Sequence, residues 1–206
     1  MDEATAQAIE ISIANEAVAQ VGFKRLSPDA VIPTKAHPTD SGFDLVASAD
    51  VIIEPGATIV VPTGIAVQLP AGFEATVRPR SGVTSKSKLR VQLGTIDNGY
   101  NAGIGVIIDN IADTEYEFNE IYGGEGYDVR VIKKSVSNSD YLNFVDGSKI
   151  KQDEGIPEDT YFIRKGDRIA QLVITRLPDV EAIEVFDVGE SSRGAKGFGS
   201  SGVSEE

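Results

Sequence analysis

The strongest constraint on this chain is the way its apolar runs are cut. Residues 51–82 read "VIIEPGATIVVPTGIAVQLPAGFEATVRPRSG", short Val- and Ile-rich stretches separated by "EPGA", "PTG" and "PAG". Proline removes a ladder donor and glycine opens the positive-φ turns, so such a run cannot continue as a helix. Strand, turn, strand, turn at this spacing is the mark of an all-β sandwich or barrel. Further along, "RVQLGTIDNGYNAGIGVIIDN" reads as two strands joined by a polar, Gly-containing hairpin. "DTYFIRKGDRIAQLVITRL" reads as a pair around "RKGD", and "DVEAIEVFDV" as a last strand.

Two segments break this texture. Residues 1–20 are Ala-rich and lack basic residues; Ile9 and Ile13 sit one helical turn apart, so a short helix and a frayed extension both fit. Residues 112–158 are acidic, polar and Tyr-bearing, with β-prone "YDVRVIKK" and "YLNFV". A structureless loop of that length is unusual in a compact domain, so an inserted subdomain with strands of its own is expected. The core is then 21–111 together with 159–190, followed by a C-terminal arm, 191–206.

Composition narrows the chemistry. Of the 206 residues 41% are hydrophobic, enough for a real core. No apolar run has the length of a membrane span, and the acidic start is unlike a targeting segment. Cysteine is absent, which excludes disulfides and thiolate metal sites and makes a reducing cytosol the simplest home. The formal net charge of −13 disfavours direct binding of nucleic acid. With His37 as the one histidine, a His triad or multi-His metal site is close to excluded, and acid–base work falls to a carboxylate.

Five clusters carry candidate chemistry. In "HPTDSGFDLVAS", Asp40 is most simply a turn residue, while Asp44 opens a strand and could face a cation through water. In "RPRSGVTSK", Arg80, Ser81 and Gly82 offer a guanidinium fork, a hydroxyl and an open amide, the donors phosphate oxygens need; an ordinary polar turn fits an isolated RSG as well. In "GTIDNGYNAG", Asp97 ends an apolar strand, where a rigid carboxylate can take a proton from water, and Tyr100 offers a flat wall; a turn Asp and a packing Tyr fit equally. In "RKGDRIAQLVI", Asp167 and Arg168 suit an ion pair at a subunit contact, and Gln171 is a polar group among apolar neighbours. The tail "SSRGAKGFGSSG" combines glycines, Arg193, Lys196 and Phe198, as in a disordered tail or in a flap that orders on an anionic ligand with a flat ring.

In this order and spacing, "DSGFDL", "PRSG", "GTIDNGY", "GDRIAQLV" and "RGAKGFGSSG" resemble the signature of the homotrimeric dUTP pyrophosphatases (dUTPases). The resemblance implies a distorted jelly-roll subunit, a threefold trimer with active sites at subunit contacts, and Mg²⁺-assisted hydrolysis of dUTP to dUMP and pyrophosphate. It places water activation on Asp97, which also holds the 3′-hydroxyl, and packs Tyr100 against the deoxyribose. It has uracil read by main-chain groups around Gly94, Thr95, Ile96 and Gly105. Arg80, Ser81 and Gly82 would hold the phosphates, Gln171 would place the attacking water, and Asp44 would meet the Mg²⁺ shell indirectly, through water. Phe198 would stack on uracil, with Arg193 catalytic at the terminal phosphate and Gly199, Ser200 and Ser201 wrapping it.

Departures are Ser41, Phe43 and Ala102, the last straining the hairpin if its turn needs positive φ there. The larger departure is the insert, which resembles the extra segment of certain bacteriophage dUTPases. Some of those bind repressor proteins, so a phage or bacterial repressor is a second candidate partner, through the insert. The fold-related dCTP deaminases are the alternative, although no deaminase motif is present.

Overall fold

The computed structural model describes residues 18–113, 116–123, 126–133 and 138–190. Among these lie fifteen strands and one short helix, an all-β distorted jelly roll. In chain order the strands are β1 (Gly22–Arg25), β2 (Gly42–Val46), β3 (Val51–Ile53), β4 (Thr58–Pro62), β5 (Ile65–Gln68) and β6 (Phe73–Pro79). Helix α1 (Ser81–Lys86) follows, then β7 (Leu89–Val91), β8 (Gly94–Ile96) and β9 (Gly105–Asn110). The remainder are β10 (Tyr116–Gly123), β11 (Gly126–Lys133), β12 (Asn138–Phe144), β13 (Lys149–Pro157), β14 (Tyr161–Ile163) and β15 (Arg168–Arg176).

Three sheets enclose the core, with orders β2-β15-β6-β8, β4-β9-β7 and β13-β12-β14-β3, and a β1-β5 pair flanks them. Alternation decides which side chains enter. Along β9, Val106 and Ile108 are fully buried while Ile107 faces out; opposite, Val61 is buried and Val60 faces out. Leu45, Ile53, Ile65, Leu89, Ile163, Ile169 and Leu172 complete the innermost layer. Leu172 lies opposite Phe43 on one side and Val77 on the other, so it fixes β15 between β2 and β6. Each such side chain stabilises the fold by roughly 1.5–3 kcal/mol.

Several pairings differ from the sequence reading. "RVQLGTI" is not one strand: β7 pairs with β9, and after Leu93 the chain crosses so that β8 pairs with β6. The strands around "RKGD" also part, β14 joining β3 and β15 joining β2 and β6. Residues 181–188, "EAIEVFDV", form no strand with the described residues, and Phe186 and Val188 are fully exposed. The 112–158 segment divides. Strands β10 and β11 pair with each other, whereas β12 joins β14 in parallel and buries Leu142 and Phe144. Asn110, fully buried at the root of this segment, donates to Ile53 O at 3.1 Å and Asp159 O at 2.8 Å and accepts from Ala112 N at 3.1 Å.

Candidate active site

Strand register assembles the first half of the site. Gln171 stands opposite Asp44 across the β15–β2 ladder, so both side chains share one face. Gly42 permits this approach: a Cβ there would meet Gln171 Cβ at 3.0 Å and Val173 Cγ2 at 3.2 Å. A bulge between Arg168 and Ala170 breaks the ladder beside it, the local kink that re-aims side chains near sites. Asp44 is buried and takes Arg80 Nε at 3.2 Å on one oxygen and Arg168 Nε at 3.5 Å on the other. Arg80 Nη1 donates to Arg168 O at 3.0 Å. The guanidinium is thereby held on two sides, and among the described residues Nη2 donates no hydrogen bond.

Arg80 is also the N-cap of α1, which buried Val83 anchors to the core. The N–H groups of Val83 and Thr84 both donate to Arg80 O at 3.1 Å. First-turn amides have no intrahelical acceptor, so Ser81 and Gly82 present theirs outward. A Cβ on Gly82 would meet nothing within 4 Å, so the space over its backbone is open. Arg80, Ser81, Gly82 and Gln171 line one cavity of about 360 Å³, with Lys86, Arg168 and Asp146 on its other walls. Gln171 is half-buried, and among the described residues its amide has no hydrogen-bond partner. The Arg80–Ser81–Gly82 run thus opens a short helix and lines a cavity rather than forming a plain turn.

The second half of the site is the loop from Asp97 to Ile104. Asp97 is exposed at the end of β8 and accepts from Tyr100 N on its carbonyl at 3.1 Å. Gly99 takes the positive φ, 92°, and Ala102 does not, so Ala102 is unstrained. Tyr100 Oη donates to Gly103 O at 3.1 Å, which locks the ring as a wall. Asn98, which the sequence reading passed over, donates to Pro70 O at 2.7 Å and ties the loop to the β5–β6 turn. Gly94, Thr95 and Ile96 lie on β8, and Gly105 opens β9; a Cβ on Gly105 would fall 2.4 Å from Val60 Cγ1.

Within one chain these halves stand apart. The β6–β8 register ends at Ala75↔Ile96, which puts Asp97 abreast of Glu74, six residues along β6 from Arg80. At ~3.4 Å per residue that is about 20 Å. Arg193, Phe198, Gly199, Ser200 and Ser201 lie outside the described residues.

A family model described as dUTPase matches residues 29–120 and 156–202. The deoxyuridine 5'-triphosphate nucleotidohydrolase of Nocardia farcinica is 35% identical over 188 residues, 90% of this chain and 87% of that protein. The chain belongs to the dUTPase family. Among solved dUTPase structures, a variant from Staphylococcus bacteriophage 80alpha with dUpNHpp superposes with a TM-score of 0.74 at 33% identity, over 89% of this chain and 99% of that one. The dUTPase from phage phi11 of S. aureus, solved to visualise a species-specific insert, gives 0.66 at 30% identity over 82% and 99%.

The dUTPase pattern did not flag two further residues. Asp146, in the β12–β13 turn, is held below the usual carboxylate range by Ser148, whose hydroxyl and backbone N–H both reach it, and by Arg164 at 3.1 Å. Arg164 lies over the Phe144 ring at 4.5 Å and also bonds Asp167 at 3.3 Å, and both carboxylates raise its pKa. Within the chain, Asp167 closes its own turn with Arg164, and Arg168 turns to Asp44.

The donor set suits a cation held mainly by its ligand. Among the described residues no group of three or more Asp, Glu or His could cage a metal. Both Asp44 oxygens already face guanidinium groups, with one lone pair each to spare for a metal-bound water. Mg²⁺ keeps several waters and uses few carboxylates beside phosphates, so an outer-shell role for Asp44 fits.

Proposed function

We infer that this chain is a dUTP diphosphatase whose active site joins the phosphate cavity of one subunit to the Asp97 loop of another in a homotrimer. The observation that carries this is the β6–β8 register, which sets the backbones of Arg80 and Asp97 ~20 Å apart within one chain, too far for both side chains to meet on one phosphoryl group. Exposed apolar surface supports assembly. Val60 and Ile107 pair on the outer face of the β4–β9 ladder at 61% and 41% exposure, and Val180, Ile183, Val185 and Phe186 of the strandless arm face outward.

In the assembled site Asp97 accepts a proton from water, and the resulting oxygen nucleophile attacks the α-phosphorus. The bond from that phosphorus to the bridging oxygen breaks, releasing pyrophosphate and leaving dUMP. General-base action of this kind contributes roughly 10²–10⁴ in rate. Gln171 orients the water through its free amide. Arg80, braced by Asp44 and the Arg168 carbonyl, meets the growing charge with Nη2, and Ser81 and Gly82 add open donors. When bound, Mg²⁺ supplies screening of phosphoryl charge. The locked Tyr100 ring leaves no room for a 2′-hydroxyl, Asp97 holds the 3′-hydroxyl, and main-chain groups of Gly94, Thr95, Ile96 and Gly105 read uracil. The tail closes the site: Phe198 stacks on the base, Arg193 reaches the terminal phosphate, and Gly199, Ser200 and Ser201 wrap it, excluding water. The reaction belongs to the cytosol, where the nucleotide pool is.

The β10–β11 hairpin pairs only with itself among the described strands, which favours a second use as a docking element for a repressor protein. Deleting 116–133 should then abolish repressor binding and spare hydrolysis. For the main reading, pyrophosphate release is measured with dUTP, dTTP, dCTP and UTP, with and without Mg²⁺. Turnover confined to dUTP and lost with chelator is expected. Equal turnover of UTP, or ammonia from dCTP, would overturn it.

A further inference from the structure

The loop that carries Asp97 and Tyr100 is pinned to the body of the fold by a residue that no motif assigns. Asn98 follows Asp97 directly, and among the described residues it is the only one of 97–103 whose side chain hydrogen-bonds outside the loop. Its Nδ2 donates to Pro70 O at 2.7 Å, with Leu69 O and Phe73 O each at 3.4 Å. Carbonyl oxygens converging on one atom require a donor there, so the surroundings fix which way the amide points. An aspartate of the same shape would set oxygen against oxygen at that spot.

The seat that receives this amide is itself firm. Gly72, at φ 75°, turns the chain into β6, and Leu177 N, just past β15, donates to Gly72 O at 2.7 Å. The far limb of the loop is also tied down: Ile104 N donates to Ile65 O at 2.7 Å, and Ile104 O accepts from Thr63 Oγ1 at 2.6 Å. Between these two anchors the hydrogen bonds are internal, from Tyr100 N to Asp97 O and from Tyr100 Oη to Gly103 O. The first of them closes a turn with Asn98 in second place and Gly99, at φ 92°, in third. Asp97 and Tyr100 are its two ends, so the tilt that Asn98 sets is passed to both.

We propose that Asn98 is a positioning residue that sets the Asp97 carboxylate and the Tyr100 ring together, coupling rate to choice of sugar through one amide. This rests on the reading of Asp97 as the base and Tyr100 as the wall against the deoxyribose. The test is pyrophosphate release from dUTP and from UTP by full-length wild type, Asn98→Ala and Asn98→Asp, with assembly followed by light scattering. Asn98 is exposed, so both variants should fold. In Asn98→Ala, kcat for dUTP is expected to fall about tenfold or more, since small misplacements of reacting groups are costly. The preference for dUTP over UTP in kcat/KM should fall about tenfold with it, because the Tyr100 ring moves too. Asn98→Asp should do no better than alanine, having the shape without the donor. Unchanged dUTP kinetics in Asn98→Ala, a lower rate with an unchanged sugar preference, or wild-type kinetics in Asn98→Asp overturns the assignment. Wild-type protein that hydrolyses UTP as fast as dUTP overturns the functional reading instead.

Discussion

Replacing Asp44 by asparagine tests the brace beneath the cavity. The side chain is 8% exposed and its single negative charge is shared between two guanidinium groups. Asparagine keeps the shape and one acceptor but loses the charge and turns an N–H₂ toward a cation. A hydrogen bond to a charged group is worth about 1.5–3 kcal/mol. Arg80 is 28% exposed and Arg168 57%, so solvent screens part of this, and the lower half of the range applies. A loss of about 2 kcal/mol in a chain of this size lowers Tm by roughly 4–8 °C. The same change frees the Arg80 fork, so KM for dUTP should rise roughly tenfold, a 1.4 kcal/mol effect, with a smaller change in kcat. Thermal unfolding at fixed protein concentration and initial rates at saturating Mg²⁺ provide the two readings. A Tm within about 1 °C of wild type together with an unchanged KM would refute the idea that Asp44 orients Arg80.

Other consequences are as direct. Asn110→Ala strands Ile53 O, Asp159 O and Ala112 N without the amide, and should cost about 3 kcal/mol in urea unfolding while leaving kcat intact. Burial holds the Tyr161 hydroxyl above its ordinary value, although its bond with Lys88 N–H pulls the other way. The neutral form is thus favoured by folding, so this contribution is fully present below about pH 10 and lost as pH rises through the higher folded value. Unfolding curves from pH 8 upward should show that alkaline loss in wild type and a flatter profile in Tyr161→Phe. Truncation before Arg193 should leave assembly intact by light scattering and abolish pyrophosphate release; a fully active truncation would remove the tail from the mechanism.

The sequence discloses strand content better than strand partners. Pro and Gly punctuation marks where strands stop, and alternation marks which face is buried, but neither says which strand lies alongside. Hence "RVQLGTI" reads as one run although Leu93 is the point where the chain changes sheets. Helix α1 was hidden because six residues containing Gly82, Thr84 and Ser85 have no helical periodicity; Val83 holds it by burial. "YLNFV" reads as β-prone, yet its parallel pairing with β14 joins residues 18 apart in sequence that no local signal reports. Arg80, Ser81, Gly82 and Gln171 were legible by chemistry and do converge on one cavity. Lys86, which closes the same "RPRSGVTSK" cluster, lines that cavity too. The arm at 181–188 reads as a strand because it alternates; its exposed apolar residues have no partner strand among the described residues.

Mixing two inactive proteins tests the shared site most directly. Asp97→Asn chains keep the phosphate cavity, and Arg80→Ala chains keep the Asp97 loop. Unfolded together in equal amounts and refolded, they should give mixed trimers in which one junction carries both intact halves. Random assembly then restores about a quarter of wild-type dUTP hydrolysis, whereas each variant refolded alone stays inactive. Activity no higher than that of the separate variants, in samples shown to contain mixed trimers, would contradict a site built from two subunits.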